Sequence, residues 1–288
     1  MSYQIITDSS CDFTEAQYQE FQVTHANLTV RYNGEDHENF SDEKDVKAFY
    51  DELRGGVMAT TAAVNPTGWT AVMEPALQEG KDVLVLAFTS GLSTTYQSAV
   101  IAAEELREKY PERKINVVDT LCAALGQGLL VWYACQKRDA GMSLEEVTAW
   151  VEETKHHVCH WVTVDDLSHL KRGGRISATT AIVGTMLNIK PIIHVSAEGK
   201  LENVAKARGR KAAIEHIAAK VGELGEGYDN DTVFVVHGDS PEDAQTLANL
   251  VKEKYGVKNV HIGYLGPVIG AHTGPGVLAL FFLGKNRC

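Results

Sequence analysis

The chain has 288 residues, 44% of them hydrophobic, and a formal net charge of −11. That length suits one large domain or, better, two, and an acidic chain without a basic block argues against nucleic acid and against an electrostatic membrane anchor. The five cysteines (11, 122, 135, 159 and 288) include no C-x-x-C pair, which reads as reduced thiols of a cytoplasmic protein, not a disulfide framework or a zinc site.

The start, Met-Ser-Tyr-Gln-Ile-Ile-Thr-Asp, reads as a strand entering the fold and not as a signal peptide. No apolar run approaches the ~20 residues of a membrane-spanning helix. Tyr3–Thr7 is the first predicted strand, and it ends in a polar loop, Asp8-Ser9-Ser10-Cys11-Asp12. Asp and Ser there suit local self-bonding, with a ligand role as the alternative. Thr14 with Gln17 forms a capping box for a short helix. Val23–Tyr32 reads as one strand, followed by a turn at Asn33-Gly34. Val46, Phe49, Tyr50 and Leu53 mark an amphipathic helix stopped by Gly55-Gly56. A hydroxyl-bearing loop, 59–66, follows, and Asn65-Pro66 opens the next helix as cap and first residue. Pro75 is expected to kink or end that helix.

Val83–Phe88 is a continuous apolar run, as expected of a strand buried on both faces. It runs into Thr89-Ser90-Gly91-Leu92-Ser93 and then into a helix marked by Tyr96, Ala99, Val100, Ala103 and Leu106. Two readings of this loop stand side by side. Its hydroxyls and free helix-start amides suit an anionic group at the carboxyl end of a strand. They equally suit an ordinary helix cap. Lys114–Asp119 is the next strand, 122–138 an apolar helix, and Ser143 with Glu146 caps another helix to about Lys155. Strands alternating with helices predict a mostly parallel sheet covered on both faces.

The pattern then changes. Val158–Val164 is a strand, 179–188 a helix of small residues, and Lys190–Val195 with a strand ending near Ala207 an antiparallel hairpin. Lys211–Leu224 is a long helix, Thr232–Val236 a strand, and Ser240-Pro241 caps a further helix. Val260–Leu265 and Val277–Leu283 are strands that flank a Gly/Pro-rich loop, 266–276. The expected organisation is an N-terminal α/β domain, 1–157, and a C-terminal mixed α/β domain, 158–288.

Three constellations carry potential chemistry. Lys171-Arg172-Gly173-Gly174-Arg175 sets three cations around two glycines, which suits a phosphate or carboxylate as well as a solvated turn. Arg208 and Arg210 flank Gly209, where ordinary surface charge also fits. His272 is the one side chain of its loop that titrates near neutrality, so a site residue and a structural turn both fit. His156-His157-x-x-His160 straddles a helix-to-strand change, so no metal site is expected. No G-x-x-x-x-G-K-[ST] loop, no G-x-G-x-x-G after the first strand and no G-x-S-x-G elbow occurs.

Four motifs together resemble the DegV family: Ser90-Gly91-Leu92-Ser93-x-Thr95-Tyr96-Gln97-Ser98-Ala99, Leu170-Lys171-x-Gly173-Gly174-Arg175-Ile176, Lys190-Pro191-Ile192, and Ile269-Gly270-x-His272-Thr273-Gly274-Pro275-Gly276. With Thr7-Asp8-Ser9 the resemblance spans nearly the whole chain. It implies a two-domain DegV-like fold, a mostly parallel sheet domain plus a mixed α/β domain, with a long-chain fatty acid between them. It implies that Thr61 and Ser93 bond the carboxylate, that Arg175 and His272 lie beside it and assist transfer, and that Arg208 faces a partner. That partner is a dihydroxyacetone-kinase-like fatty acid kinase, which carries ATP and Mg²⁺ and forms an acyl phosphate. This chain then binds no cofactor of its own and has no stand-alone activity. Many members carry Thr-Ser-x-Pro in the first hydroxyl loop, where this chain reads Thr60-Thr61-Ala62-Ala63-Val64-Asn65-Pro66. Two competing readings are a serine-type acyl hydrolase using Ser93 and His272, and a protein that holds lipid without transfer.

Overall fold

A computed structural model describes residues 3–165, 167–176, 188–285 and 287. A four-stranded sheet is built from β1 (Tyr3–Asp8), β2 (Val23–Ala26), β6 (Asp82–Ala87) and β7 (Ile115–Asp119), in the order β2-β1-β6-β7. Every pair in it is parallel. β6 is buried along its whole length, as its unbroken Val/Leu run predicts. Helix α3 (Pro66–Gln78) and α4 (Thr95–Lys109) pack on this sheet, as does α6 (Leu144–Thr154). From β1 the chain moves to one side and from β6 to the other. The loops after these two strands therefore diverge and leave a crevice at the carboxyl ends, where open α/β sheets take ligands.

The second sheet uses β8 (Val158–Thr163), β9 (Ile189–Val195), β10 (Leu201–Arg208), β11 (Thr232–His237), β12 (Asn259–Tyr264) and β13 (Leu278–Leu283). Its order is β10-β9-β8-β13-β11-β12, with β11 and β12 parallel and the other pairs antiparallel. Helices α8 (Arg210–Leu224) and α9 (Pro241–Tyr255) pack on it, and α5 (Ala124–Asp139) packs against β8, β11 and β13. α5 also packs against the 3₁₀ turn after β1, so one apolar helix touches both halves of the fold. The mixed α/β architecture expected from the sequence is present.

Several expectations need correction. The stretch 23–32 is two strands in two sheets. The chain leaves the parallel sheet at Asn27, where the Leu28 amide donates to Ser9 Oγ at 3.0 Å. β3 (Thr29–Tyr32) then joins β4 (Glu35–Glu38) and β5 (Thr60–Ala62) in a three-stranded antiparallel sheet, order β4-β3-β5. The hydroxyl-bearing stretch 59–66 is therefore partly a strand. Pro75 does not stop α3, which runs to Gln78. A proline one turn from the end removes a single backbone bond, and buried Trp69, Met73, Ala76 and Leu77 hold the last turn. The Gly/Pro-rich stretch 266–276 contains a helix, α10 (Pro267–Thr273), with Pro267 at its first position and Gly274 at φ +77° closing it. Ser240 precedes α9, but its hydroxyl makes no cap bond. The helix expected at 179–188 lies outside the described residues, apart from Asn188. Among the described residues no helix is long and apolar enough to cross a membrane, and Cys11, Cys122, Cys135 and Cys159 are buried.

Candidate functional site

The loop after β6 is fixed by carboxylates beneath it. Asp8, fully buried at the end of β1, accepts from the Phe88 amide at 2.7 Å and from the Ser10 amide at 3.1 Å. Gln127 of α5 also donates to it, at 3.3 Å. Burial pushes the Asp8 carboxyl up to about 6, against these hydrogen bonds. Asp119 accepts from the Ser90 amide at 3.1 Å. Gly91 lies against the β9–β10 turn, where a Cβ would meet the Gly199 carbonyl at 2.6 Å. The amides of Ser90, Gly91, Leu92 and Ser93 all have acceptors within the loop or below it. The loop's own amides are therefore engaged, and the loop offers hydroxyls to the cavity. Ser93 Oγ accepts from the Thr95 amide at 3.2 Å and pairs with Thr95 Oγ1 at 2.8 Å. It thus holds the first amide of α4 and lines the pocket as well.

Three other segments complete a cavity of about 610 Å³. Strand β5 supplies Thr61. The turn after α7 (Ser168–Arg172) supplies Arg175, whose Nη1 donates to the Gly173 carbonyl at 2.5 Å and whose Nε donates to the Leu92 carbonyl at 3.2 Å. Helix α10 supplies His272, whose Nε2 lies 2.8 Å from Thr61 Oγ1. The other ring nitrogen, Nδ1, is buried without a partner. Burial, and next the charge of Arg175, lower the imidazole pKa to about 4, so the ring is neutral near pH 7. Nε2 and the Thr61 hydroxyl share one hydrogen bond, whose direction follows from which ring nitrogen carries the proton.

Thr61, Ser93, Arg175 and His272 thus line one space. Ser93 and His272 bond to Thr95 and Thr61, not to each other, and among the described residues no carboxylate orients His272. Arg208 is exposed at the end of β10 and does not line the cavity. Arg210 is paired with Asp243 at 2.7 Å. His160 is a buried residue of β8 that accepts from the Ala123 amide at 3.2 Å, and His157 bonds the Gly284 carbonyl and Tyr228. No group able to hold a metal ion occurs among the described residues.

The apolar end of the site escaped the sequence reading. Phe88, Leu92, Leu170, Leu201, Ile269 and Thr273 line the polar cavity and also a narrow apolar channel of about 60 Å³. That channel runs over the inner face of the six-stranded sheet, past Val162, Ile193, Val236 and Ala279. Period-2 alternation identifies such residues as inward-facing, but not as bordering a void.

Fold and pocket together define a three-sheet α/β protein in which a hydroxyl- and cation-lined cavity opens onto an apolar channel. Residues 2–285 match the family model described as "Uncharacterised protein, DegV family". A DegV domain-containing protein of Clostridium perfringens is 44% identical over 284 residues, covering 98% of each chain. The chain belongs to the DegV family. Among solved structures, a DegV family protein of Thermus thermophilus, described by its fatty acid binding, is 30% identical with a TM-score of 0.88 over 99% of this chain and 100% of that one. A fatty acid binding DegV family protein of Streptococcus agalactiae is 28% identical with a TM-score of 0.84 over 99% and 100%.

Proposed function

We propose that this protein binds a long-chain fatty acid. The carboxylate would lie at Thr61, Ser93, Arg175 and His272, and the acyl chain would part the side chains of the narrow channel. The observation that carries this reading is the continuity of a polar-mouthed cavity with an all-apolar channel. Fatty acid binding by the T. thermophilus and S. agalactiae relatives supports it. Each methylene buried contributes about 0.8 kcal/mol, so the channel supplies affinity and the mouth supplies orientation. The scattered cysteines, with no C-x-x-C pair, suit a reducing compartment such as the cytoplasm.

The further step is presentation of the carboxylate to a partner kinase. Its oxygen would attack the terminal phosphorus of ATP held with Mg²⁺ by that partner; the bond from that phosphorus to ADP breaks, and ADP leaves with the electron pair. Hydroxyl donors hold a carboxylate without the tight ion pair that blunts its nucleophilicity, and Arg175 would offset charge developing on the phosphoryl group. Arg208, exposed on an edge strand, is the residue for the kinase to engage. This chain would then need no nucleotide site and no independent catalytic activity.

The test is mass spectrometry of an organic extract of the purified protein, followed by incubation of the loaded protein with a dihydroxyacetone-kinase-like fatty acid kinase, ATP and Mg²⁺. A stoichiometric fatty acid supports binding, and acyl phosphate formed only with the kinase supports presentation. An empty extract that stays empty after incubation with mixed fatty acids overturns the ligand.

A further inference from the structure

A second recess lies behind the head-group wall. Its volume is about 230 Å³, and Thr61, Arg175 and His272 line both it and the larger cavity. These three side chains therefore stand between two spaces. On the far side, Thr60, His169 and Arg172 add polar lining, and Met58 closes the outer edge. Among the described residues no carboxylate lines the recess, although the chain as a whole carries a net charge of −11. Arg172 is exposed, and its Nη1 reaches across to Met58 Sδ at 2.6 Å. A thioether is a weak acceptor and leaves the guanidinium charge uncompensated. Arg175 directs Nη1 and Nε to backbone carbonyls. Two cations thus face one small space with no opposing charge among the described residues. Guanidinium groups match phosphoryl oxygens in geometry as well as charge.

We infer that this recess is a subsite for the phosphoryl group of an acyl phosphate, with Arg172 its specificity-determining cation. The acyl carbonyl would remain at Thr61 and Ser93, and the phosphoryl oxygens would lie beyond the shared wall, on Arg172 and Arg175. A mixed anhydride has an apolar chain, a carbonyl and a tetrahedral dianion in line. Channel, cavity and recess offer an apolar, a hydroxyl-lined and a cationic space in that sequence. Free fatty acid ends at the carbonyl and has nothing to place in the recess. Arg172 therefore distinguishes product from substrate. This inference rests on the fatty acid and presentation readings above.

Palmitate and its non-hydrolysable phosphoryl analogue, 2-oxoheptadecylphosphonate, titrated calorimetrically into the full chain, test it. Arg172→Met should weaken the phosphonate about tenfold or more and leave palmitate within about twofold. Arg172→Lys, which keeps a charge there, should recover part of the loss. Equal weakening of both ligands, or unchanged phosphonate affinity in Arg172→Met, overturns the subsite. Wild-type protein that binds palmitate but not the phosphonate overturns the subsite alone. Wild-type protein that binds neither overturns the fatty acid reading beneath it.

Discussion

Gly173 backs directly onto His272: a Cβ at residue 173 would sit 2.1 Å from His272 Nδ1. The glycine between the cations is therefore needed for space, not for an unusual backbone angle. Its neighbour Gly174 has the opposite constraint, with φ at +71° and nothing within 4 Å of a Cβ. Gly173→Ala should displace the imidazole, break its bond to Thr61 and cost about 1–3 kcal/mol of stability. Fatty acid affinity should fall with it. Gly174→Ala should cost about 1 kcal/mol through strain alone and leave affinity nearly unchanged. Chemical denaturation and a fatty acid titration on both variants separate the two effects. Equal loss of affinity in both would refute the contact argument.

His272 should titrate far below an ordinary histidine. Its folded pKa, about 4, lies under the 6.5 of the unfolded chain. As pH falls, the unfolded state takes up a proton first. The stability from keeping this ring neutral is thus complete above about 6.5 and is lost as pH falls toward 4. The ring resonance of His272, followed by NMR, should move with a midpoint near 4, and a midpoint above 6 contradicts this account. Ligand affinity should not change from pH 8 to pH 6 on account of this residue.

Asp12 should act in the opposite sense. It is buried, with one oxygen accepting from the Gly266 amide at 3.0 Å and the other without a partner. Burial raises its carboxyl from 3.8 to about 8. The folded state holds the proton longer than the unfolded chain. Its contribution is therefore complete below about 4 and is lost as pH rises through 8. Asp12→Asn keeps the acceptor for Gly266 and removes the titration. Urea unfolding at pH 5 and pH 8.5 should show the variant gaining on the wild type at the higher pH.

Thr61→Val removes the hydroxyl that links His272 to the cavity while conserving shape. Fatty acid affinity should fall about tenfold to 150-fold, the range expected for losing one hydrogen bond to a charged group. Ser93→Ala should also weaken binding, and should cost about 1 kcal/mol of stability because Ser93 Oγ accepts from the first amide of α4. Calorimetric titration and thermal unfolding measure the two. Unchanged affinity in both variants would remove these hydroxyls from the site.

Ala279 lies in the channel, opposite Val162 across the β13–β8 pair. Ala279→Leu should shorten the space available to the chain, at a packing cost of about 1–3 kcal/mol. The acids extracted from this variant should be shorter on average than those from the wild type. An identical profile would place the acyl chain elsewhere.

The parts of the fold visible in the sequence were those with local causes. The buried β6 run, the two capping boxes, the Asn65-Pro66 helix start and the hairpin from Lys190 to near Ala207 each depend on residues close together in the chain. The break at Asn27 was invisible because it answers to Ser9 and to strands β4 and β5, which lie elsewhere in the chain. The Gly/Pro-rich stretch concealed α10, since glycine and proline at helix ends look the same as glycine and proline in a loop. At the site, Thr61, Ser93, Arg175 and His272 were accessible through motif resemblance, and the structure brings them to one cavity. The Thr61–His272 bond and the Gly173–His272 contact were not, because each joins residues about a hundred or more positions apart with no local signature.

β13 is the seam of the six-stranded sheet. β10, β9 and β8 lie on one side of it and β11 and β12 on the other, and the two groups are joined through its edges. The channel is lined from both groups, by Val162 and Ile193 on one side and Val236 on the other. Until β13 docks, these residues have no fixed separation, and closing such long loops is slow. The channel is therefore expected among the last features to form as the protein refolds, so the appearance of ligand binding would time the final assembly step rather than the first collapse.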